Sequence, residues 1–270
     1  MCKLFVAYRC ENMKKLLYTN LHHKHNHTNF ENGYGISWFQ KKHWKTYKCN
    51  CVYLTDTKSC DVIDNINSKI VISHIRNISN RLANAELTKQ MVDENVQPIM
   101  YAESQLIHHG GLFCKINNKM LSYQLGHTSN EFITAVSNIM QHIDKKLQKK
   151  IQGITDSEIL FYLLLSVMGD KNADNAGALV NGFKHMNKII ENASIANSSN
   201  ICFTNDHYIA VANIYKNYSG QVVQPVHLYI DNTDGVVFCN TKLTATSRLV
   251  NENTLYLINI KTSDVTQYKI

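Results

Sequence analysis

Residues 155–165 read TDSEILFYLLL, a polar start followed by an unbroken apolar run. Thr155 and Glu158 stand three positions apart, and this spacing is typical of a capping box at the first turn of a helix. The apolar residues that follow predict a buried core helix that continues to Met168. The run is shorter than the roughly 18 apolar residues that a membrane-spanning helix requires, so we expect no transmembrane segment.

Around this helix the chain has a helical middle with strands on both sides. Apolar residues at helical spacing predict two further helices, over about residues 132–147 and 174–193. Short β-branched and aromatic runs between polar turns predict strands. These runs are residues 3–8, 35–39, 51–54, 69–74 and 106–113 before the helices, and 201–203, 208–214, 222–230, 235–239 and 254–260 after them. This order predicts an α+β fold, and the lack of a repeat or a Pro/Gly/Ser-rich linker predicts one domain over residues 1–270.

The composition is that of a globular protein with a sizeable core. Hydrophobic residues make up 44% and charged residues 18% of the 270 positions. The formal net charge is +7, yet the basic side chains are scattered, with one cluster at residues 145–150 on a predicted helix. A solvated helix face explains this cluster better than a phosphate-binding patch does, so we expect no nucleic-acid partner.

The start of the chain and its cysteines indicate a compartment. No apolar signal-peptide core follows Met1. Without an export signal, the eight cysteines are expected to be reduced thiols. We therefore predict a cytoplasmic protein.

Cys2 is the first residue that suggests chemistry. If Met1 is removed, Cys2 carries both a thiol and the free α-amino group. A thiol is a weak nucleophile until it loses its proton, and an α-amine with a pKa of about 7.7–8 is a suitable base near neutral pH. Such an amine can activate the nucleophile that carries it. The competing interpretation of this residue is a small buried cysteine at the start of a strand.

Three more segments, together with the helix start at residue 155, carry groups suited to one site. Residues 33–39 (GYGISWF) form a glycine-punctuated turn that enters a strand, and residues 74–76 (HIR) end an apolar strand. Residues 108–112 (HHGGL) combine two imidazoles with two glycines. Taken singly, a rim salt bridge, a turn and a helix cap would explain them.

In order and together, these segments resemble the class II glutamine amidotransferases, whose catalytic domain is an N-terminal nucleophile hydrolase. The closest resemblance is to the standalone branch related to the glutathione-degrading and ergothioneine-pathway amidohydrolases. That branch opens with Met-Cys and continues with a Pro-Asp-Gly-Trp-Gly-Ile type turn, a His-Ile-Arg strand, a His-Asn-Gly loop and a Thr-Asp-Ser-Glu helix start. The resemblance covers nearly the whole chain and implies a four-layer αββα sandwich of two antiparallel sheets covered by helices.

The resemblance also implies a role for each matched residue. Cys2 would attack the γ-amide or γ-glutamyl carbonyl and form a thioester, with its own amine moving the proton. Arg76 would hold the substrate α-carboxylate, for which a guanidinium offers a rigid pair of donors. Asp156 would take the substrate α-ammonium, and Ser79 would also bind the substrate. The backbone amide of Gly110 would contribute to the oxyanion hole.

The site departs from the family pattern at several positions. His109 stands where the family has its oxyanion-hole asparagine, although an imidazole N–H can also donate to a developing oxyanion. Residues 31–33 (ENG) replace Pro-Asp-Gly, and residues 240–243 (NTKL) replace a Ser-Glu-Pro-Leu pattern. We predict a cysteine-dependent glutamine amidotransferase or γ-glutamyl amide hydrolase with Cys2, His109 and Gly110 in catalysis. The alternative is a catalytically degenerate member of the fold that acts as a binding or regulatory protein.

The expected ligand is a small γ-glutamyl compound, either glutamine or a γ-glutamyl peptide, with no metal and no organic cofactor. Because the resemblance leaves no room for a second catalytic domain, any ammonia acceptor would be a separate protein. We expect no membrane partner. A zinc site is an alternative for the histidines in residues 22–27 and the cysteines at 49, 51 and 60, but no Cys-x-x-Cys pair is present.

Overall fold

A computed structural model of the chain describes residues 2–22, 33–51, 53–76, 95–116, 119–122, 130–153, 155–169, 174–218 and 223–270. The strands are β1 (Lys3–Tyr8), β2 (Tyr34–Gln40), β3 (His43–Cys49), β4 (Ile70–Ile75), β5 (Ile99–Tyr101), β6 (Ser104–Ile116), β7 (Lys119–Ser122), β8 (Ala196–Thr204), β9 (Tyr208–Lys216), β10 (Tyr229–Asp231), β11 (Val236–Cys239), β12 (Arg248–Leu249), β13 (Thr254–Asn259) and β14 (Val265–Lys269). The helices are α1 (Met13–His22), α2 (Lys58–Asp64), α3 (Asn130–Met140), α4 (Lys145–Gln148), α5 (Asp156–Met168) and α6 (Ala176–Asn192).

The chain divides into two compact units. The first is formed by Met1–His109 and His227–Val250, and the second by Gly110–Val226 and Asn251–Ile270. The expectation of one domain over the whole chain stays a prediction. Among the residues described, no helix combines the length and the apolar character needed to cross a membrane.

The first unit is built on an antiparallel sheet in the order β12-β10-β11-β1-β4-β2-β3. β1 lies in the middle of this sheet and all six of its residues are buried. Its side chains therefore pack on both faces of the sheet, which explains its nearly continuous apolar sequence. Leu17 and Leu21 of α1 pack in the same core as Phe5 of β1. β1 therefore lies in the core of this unit.

The second sheet has the order β14-β13-β9-β8-β6-β5, with β7 beside β6. In the second unit α5 is buried at ten of its thirteen residues, including both faces of the apolar run 159–164. Gly182 of α6 allows a close approach to α5, because a Cβ at this position would lie 2.6 Å from Met168 Cγ. An all-round apolar helix such as α5 belongs in a core.

The α+β fold with two antiparallel sheets and helices is confirmed. A hairpin turn joins β8 to β9, in which the Asn205 N–H donates to the Tyr208 carbonyl at 3.1 Å. The helix start at residue 155 is also confirmed, but its capping differs from the prediction. Thr155 makes no side-chain cap bond. The Glu158 carboxylate instead accepts from the backbone of Gln152 at 2.9 Å and Gly153 at 2.6 Å.

Three predicted elements are wrong in extent. The helix over residues 132–147 is two helices, because the Asp144 side chain accepts from Lys146 N–H and starts α4 anew. Residues 53–55 form a 3-10 turn rather than a strand. The strand over residues 222–230 shrinks to β10, because the segment before it bonds to side chains: Ser198 Oγ donates to the Gln224 carbonyl at 2.8 Å.

Candidate active site

Cys2 and Arg76 lie at the same end of two neighbouring strands in the first unit. Cys2 directly precedes β1 and Arg76 directly follows β4. Lys3 pairs with Ile75 in the antiparallel register, so the next residues outward on the two strands are Cys2 and Arg76. The Arg76 N–H donates to the Gly33 carbonyl oxygen at 2.9 Å, which ties the arginine backbone to the start of β2. The register of the sheet therefore places Cys2, Arg76 and Gly33 at the same edge, next to the ends of their strands.

Asn240 links Cys2 to His109. It directly follows β11, the other neighbour of β1. Its Nδ2 donates to the Cys2 carbonyl oxygen at 3.0 Å and lies 3.4 Å from His109 Nε2. Its Oδ1 accepts from the Leu4 N–H at 2.8 Å. One side chain therefore contacts both the predicted nucleophile and the predicted oxyanion-hole residue.

Cys2 differs from most free cysteines of the described chain in its access to solvent. It is half-buried, and Cys60 is exposed, whereas the remaining free thiols are buried. Burial raises the pKa of Cys10 and Cys114 to about 11 and that of Cys239 to about 12. Such thiols stay protonated at neutral pH and are poor nucleophiles. The reactive candidates are Cys2 and Cys60, and Cys2 is the one beside Asn240.

A buried histidine cluster lies beside Arg76. His74, His108 and His109 are 1%, 3% and 4% exposed. Burial holds the pKa of His74 well below its ordinary value, and any positive charge on His109 or His108, together with the charge of Arg76, lowers it further. Burial also lowers the pKa of His108 to about 3. His74 and His108 are therefore neutral at pH 7, and Arg76 supplies a positive charge that suits a carboxylate ligand.

Two glycines are required by close backbone approach. A Cβ on Gly35 would lie 2.1 Å from the Gln97 carbonyl oxygen. Gly110 has φ +127°, and a Cβ there would lie 2.0 Å from the Ser198 carbonyl oxygen. Any other residue would make these close contacts, and at Gly110 it would also have to adopt an unfavourable positive φ. This accounts for a glycine directly after His109 on β6.

In the second unit, Asp156 is a buried carboxylate tied to the strand that carries Gly110. It is 9% exposed and stands in the first turn of α5. The Leu112 N–H donates to Asp156 Oδ2 at 3.0 Å, two residues beyond Gly110. Burial raises the pKa of Asp156 to about 6, and backbone N–H donors, that of Leu112 first, offset part of the rise. Such a carboxyl group titrates close to neutral pH and gains from a cationic ligand.

The predicted site residues therefore fall into two groups. Cys2, Arg76 and His109 belong to the first unit, where Asn240 and the histidine cluster connect them. Gly110 and Asp156 belong to the second unit. Ser79 lies outside the described residues. Asn240 was missed as a site residue, although the departure at residues 240–243 marked its position.

A disulfide corrects the expectation of eight reduced thiols. Cys49, the last residue of β3, is bonded to Cys51. The sulfurs and the Asp56 carboxylate lie within 4.8 Å of one another. Asp56 Oδ2 accepts hydrogen bonds from the Tyr34 and Tyr47 hydroxyls. Burial alone would raise the pKa of Asp56, but these donors bring it below its ordinary value. Two thiols of the zinc alternative are thus bonded to each other.

No protein-family model matches the chain, and no curated protein matches it in sequence. Solved structures do match its fold. A glutamine aminotransferase class-II domain protein from Silicibacter pomeroyi is similar with a TM-score of 0.62 and 13% identity, over 100% of this chain and 99% of that one. The glutamine phosphoribosylpyrophosphate amidotransferase from B. subtilis is similar with a TM-score of 0.57 and 14% identity, over 100% of this chain.

This chain spans about half of the B. subtilis enzyme, 49% of its length. The same holds for a structure described as the allosteric regulatory enzyme of purine biosynthesis, with a TM-score of 0.57 and 14% identity over 99% of this chain. The fold is therefore that of the class II glutamine amidotransferase domain, an N-terminal nucleophile hydrolase fold. In that fold, this chain has a cysteine before the central strand of one sheet.

Proposed function

We propose that the protein is a cysteine-dependent γ-glutamyl amide hydrolase of the glutaminase type, from the standalone branch of the class II amidotransferases. The observation that carries the proposal is the placement of Cys2 and Arg76 at one end of the paired strands β1 and β4. A nucleophile and a carboxylate-binding cation side by side suit a substrate that carries an α-carboxylate near its reacting amide.

We further propose a substrate-binding role for Arg76 and for Asp156. Arg76 binds the α-carboxylate through paired donors, and Asp156 binds the α-ammonium in its ionised form. Opposite charges of this kind suit the two charged groups of an amino-acid zwitterion, whose γ-carbonyl is the group that Cys2 attacks. Holding the substrate carbonyl close to the thiol accelerates the attack, because the two reacting groups no longer have to meet by diffusion.

The reaction proceeds in two steps. After removal of Met1, the α-amine of Cys2 takes the thiol proton while sulfur bonds to the γ-carbonyl carbon. The proton passes to the departing nitrogen, the C–N bond breaks, and ammonia or an amine leaves a γ-glutamyl thioester. Water then attacks the thioester, glutamate is released, and the thiol regains its proton. The Gly110 N–H and the His109 imidazole would stabilise the oxyanion in both steps.

The same proposal includes a setting for the reaction. We propose a cytoplasmic location, where thiols of the glutathione type would keep Cys49 and Cys51 reduced for part of the time. Released ammonia would go to solvent or to a separate acceptor protein. The second candidate function, a degenerate binding or regulatory protein, is favoured by His109, because the family has an asparagine at this position.

Glutamate release tests the proposal. Purified protein with Met1 removed should release glutamate from glutamine or from a γ-glutamyl dipeptide, and Cys2→Ala should abolish the release. Cys60→Ala is the matched control, since Cys60 is the exposed free thiol and should leave the rate unchanged. Activity that survives Cys2→Ala, or a wild-type protein that binds γ-glutamyl ligands without hydrolysing them, would refute the hydrolase and support the binding protein.

A further inference from the structure

Asn240 has an amide orientation that its backbone partners determine. The Leu4 N–H can only donate, so the atom that faces it at 2.8 Å must be the amide oxygen. The Cys2 carbonyl can only accept, so the atom that faces it at 3.0 Å must be the amide nitrogen. Two independent contacts therefore require the same orientation, with the NH₂ group on the side of Cys2.

That orientation determines the proton position on His109. The NH₂ group that donates to Cys2 lies 3.4 Å from His109 Nε2. An amide NH₂ group has two hydrogens and no acceptor, so a hydrogen bond here requires Nε2 to accept. A ring nitrogen that accepts carries no hydrogen, and a neutral imidazole then has its proton on Nδ1.

We propose that Asn240 is a positioning residue that fixes His109 in the Nδ1–H tautomer and holds Cys2 beside it. The two hydrogens of its amide are then both used, one on the Cys2 carbonyl and one on His109 Nε2. Nδ1 becomes the ring nitrogen that can donate. The role of Nδ1–H as a donor to the oxyanion rests on the proposed function, whereas the tautomer itself does not.

The proposal explains why two departures from the family pattern occur together. An asparagine supplies the side-chain donor in the family, and here an imidazole occupies that position. An imidazole is useful as a donor only when its tautomer is set by a second group. Asn240 stands where the family has a serine, and its longer side chain contacts His109 and the backbone of β1 at once.

The tautomer can be measured directly. Protein labelled with ¹⁵N in its 13 histidines would be examined by long-range ¹H–¹⁵N correlation NMR at pH 7.5, with His109→Gln used to identify the His109 signals. We expect Nδ1 protonated and Nε2 unprotonated. A proton on Nε2, or on both nitrogens, would overturn the inference. If His109→Gln fails to fold, the His109 ring signals are assigned in the wild type through bonds from its own backbone, so the test remains.

Asn240→Asp provides a second readout. Its carboxylate still accepts from Leu4 but can no longer donate to His109, so we expect His109 Nε2 to become protonated and to donate to it. Asn65→Asp, the same change at the exposed end of α2, should leave the His109 signals unchanged. In the hydrolase assay Asn240→Asp should lower kcat about 100-fold, the usual effect of losing an oxyanion donor, with KM unchanged.

The outcomes separate the two proposals. A protein that hydrolyses nothing but has its His109 proton on Nδ1 keeps the inference about Asn240 and refutes the proposed function. An active hydrolase with the proton on Nε2 keeps the function and overturns the inference. An Asn240→Asp variant whose His109 Nε2 stays unprotonated also overturns it.

Discussion

Asp156→Asn should change how the stability of the protein depends on pH. The carboxyl group has an ordinary pKa of 3.8 in the unfolded chain and about 6 in the fold, because it is buried. The fold therefore favours the protonated form. Its contribution to stability is fully present below about pH 4 and is lost as pH rises through 6. A shift of this size corresponds to about 3 kcal/mol in the free energy of unfolding.

Asparagine resembles the protonated acid, since its Oδ1 can still accept from Leu112 and it carries no charge. Relative to wild type, Asp156→Asn should become more stable by up to about 3 kcal/mol between pH 4 and pH 7. The measurement is denaturant unfolding followed by circular dichroism at several pH values. Parallel stability curves for the variant and wild type would refute the reasoning.

Asp231→Asn is the matched control, because the fold lowers the pKa of Asp231 whereas it raises that of Asp156. Burial alone would raise the pKa of Asp231, but donors from Thr233, Thr244 and Thr246 hold it well below its ordinary value. The stability that this carboxylate contributes is present at neutral pH and is lost as pH falls through its folded pKa. Asp231→Asn should therefore lose stability at pH 7, where Asp156→Asn gains it.

Two further substitutions test the backbone and the charge of the site. Gly110→Ala should lower the free energy of unfolding by at least about 2 kcal/mol, because its Cβ would meet the Ser198 carbonyl at 2.0 Å in a left-handed conformation. Gly177→Ala in α6 should have a much smaller effect, because its Cβ would meet only the Asn175 side-chain oxygen, at 3.2 Å. Equal melting temperatures for these two variants would contradict the packing argument. Arg76→Lys should raise KM for glutamine about 10-fold or more with a smaller change in kcat, because lysine cannot offer paired donors. Arg9→Lys, an exposed arginine over the Tyr8 ring, is its control, and an equal KM in both variants would remove Arg76 from the substrate site.

The elements that the sequence predicted best are the ones that are buried on all sides. β1 and α5 are apolar on every face, so their runs identify them without knowledge of their partners. β3 was missed because its side chains are half-exposed and mostly polar, and it is a strand through its pairing with β2. α1 was missed because polar residues interrupt its apolar stripe.

The sequence indicated most of the candidate site residues but not the contacts between them. Cys2 and Arg76 stood out through their order along the chain. Asn240 acts through contacts with Cys2, 238 positions away, which only the register of β1 and β11 creates. The Cys49–Cys51 disulfide likewise depends on the bend after β3, whereas we expected reduced thiols at both positions.

In the proposed hydrolase the mature terminus begins at Cys2 and the Cys2 sulfur is the nucleophile. Intact-protein and peptide mass spectrometry after incubation with an electrophilic glutamine analogue of the diazoketone class tests both parts at once. We predict a terminus that lacks Met1 and one covalent addition, located on Cys2 and blocked by excess glutamine. A retained Met1, or an addition located on Cys60 with Cys2 unmodified, would contradict the account.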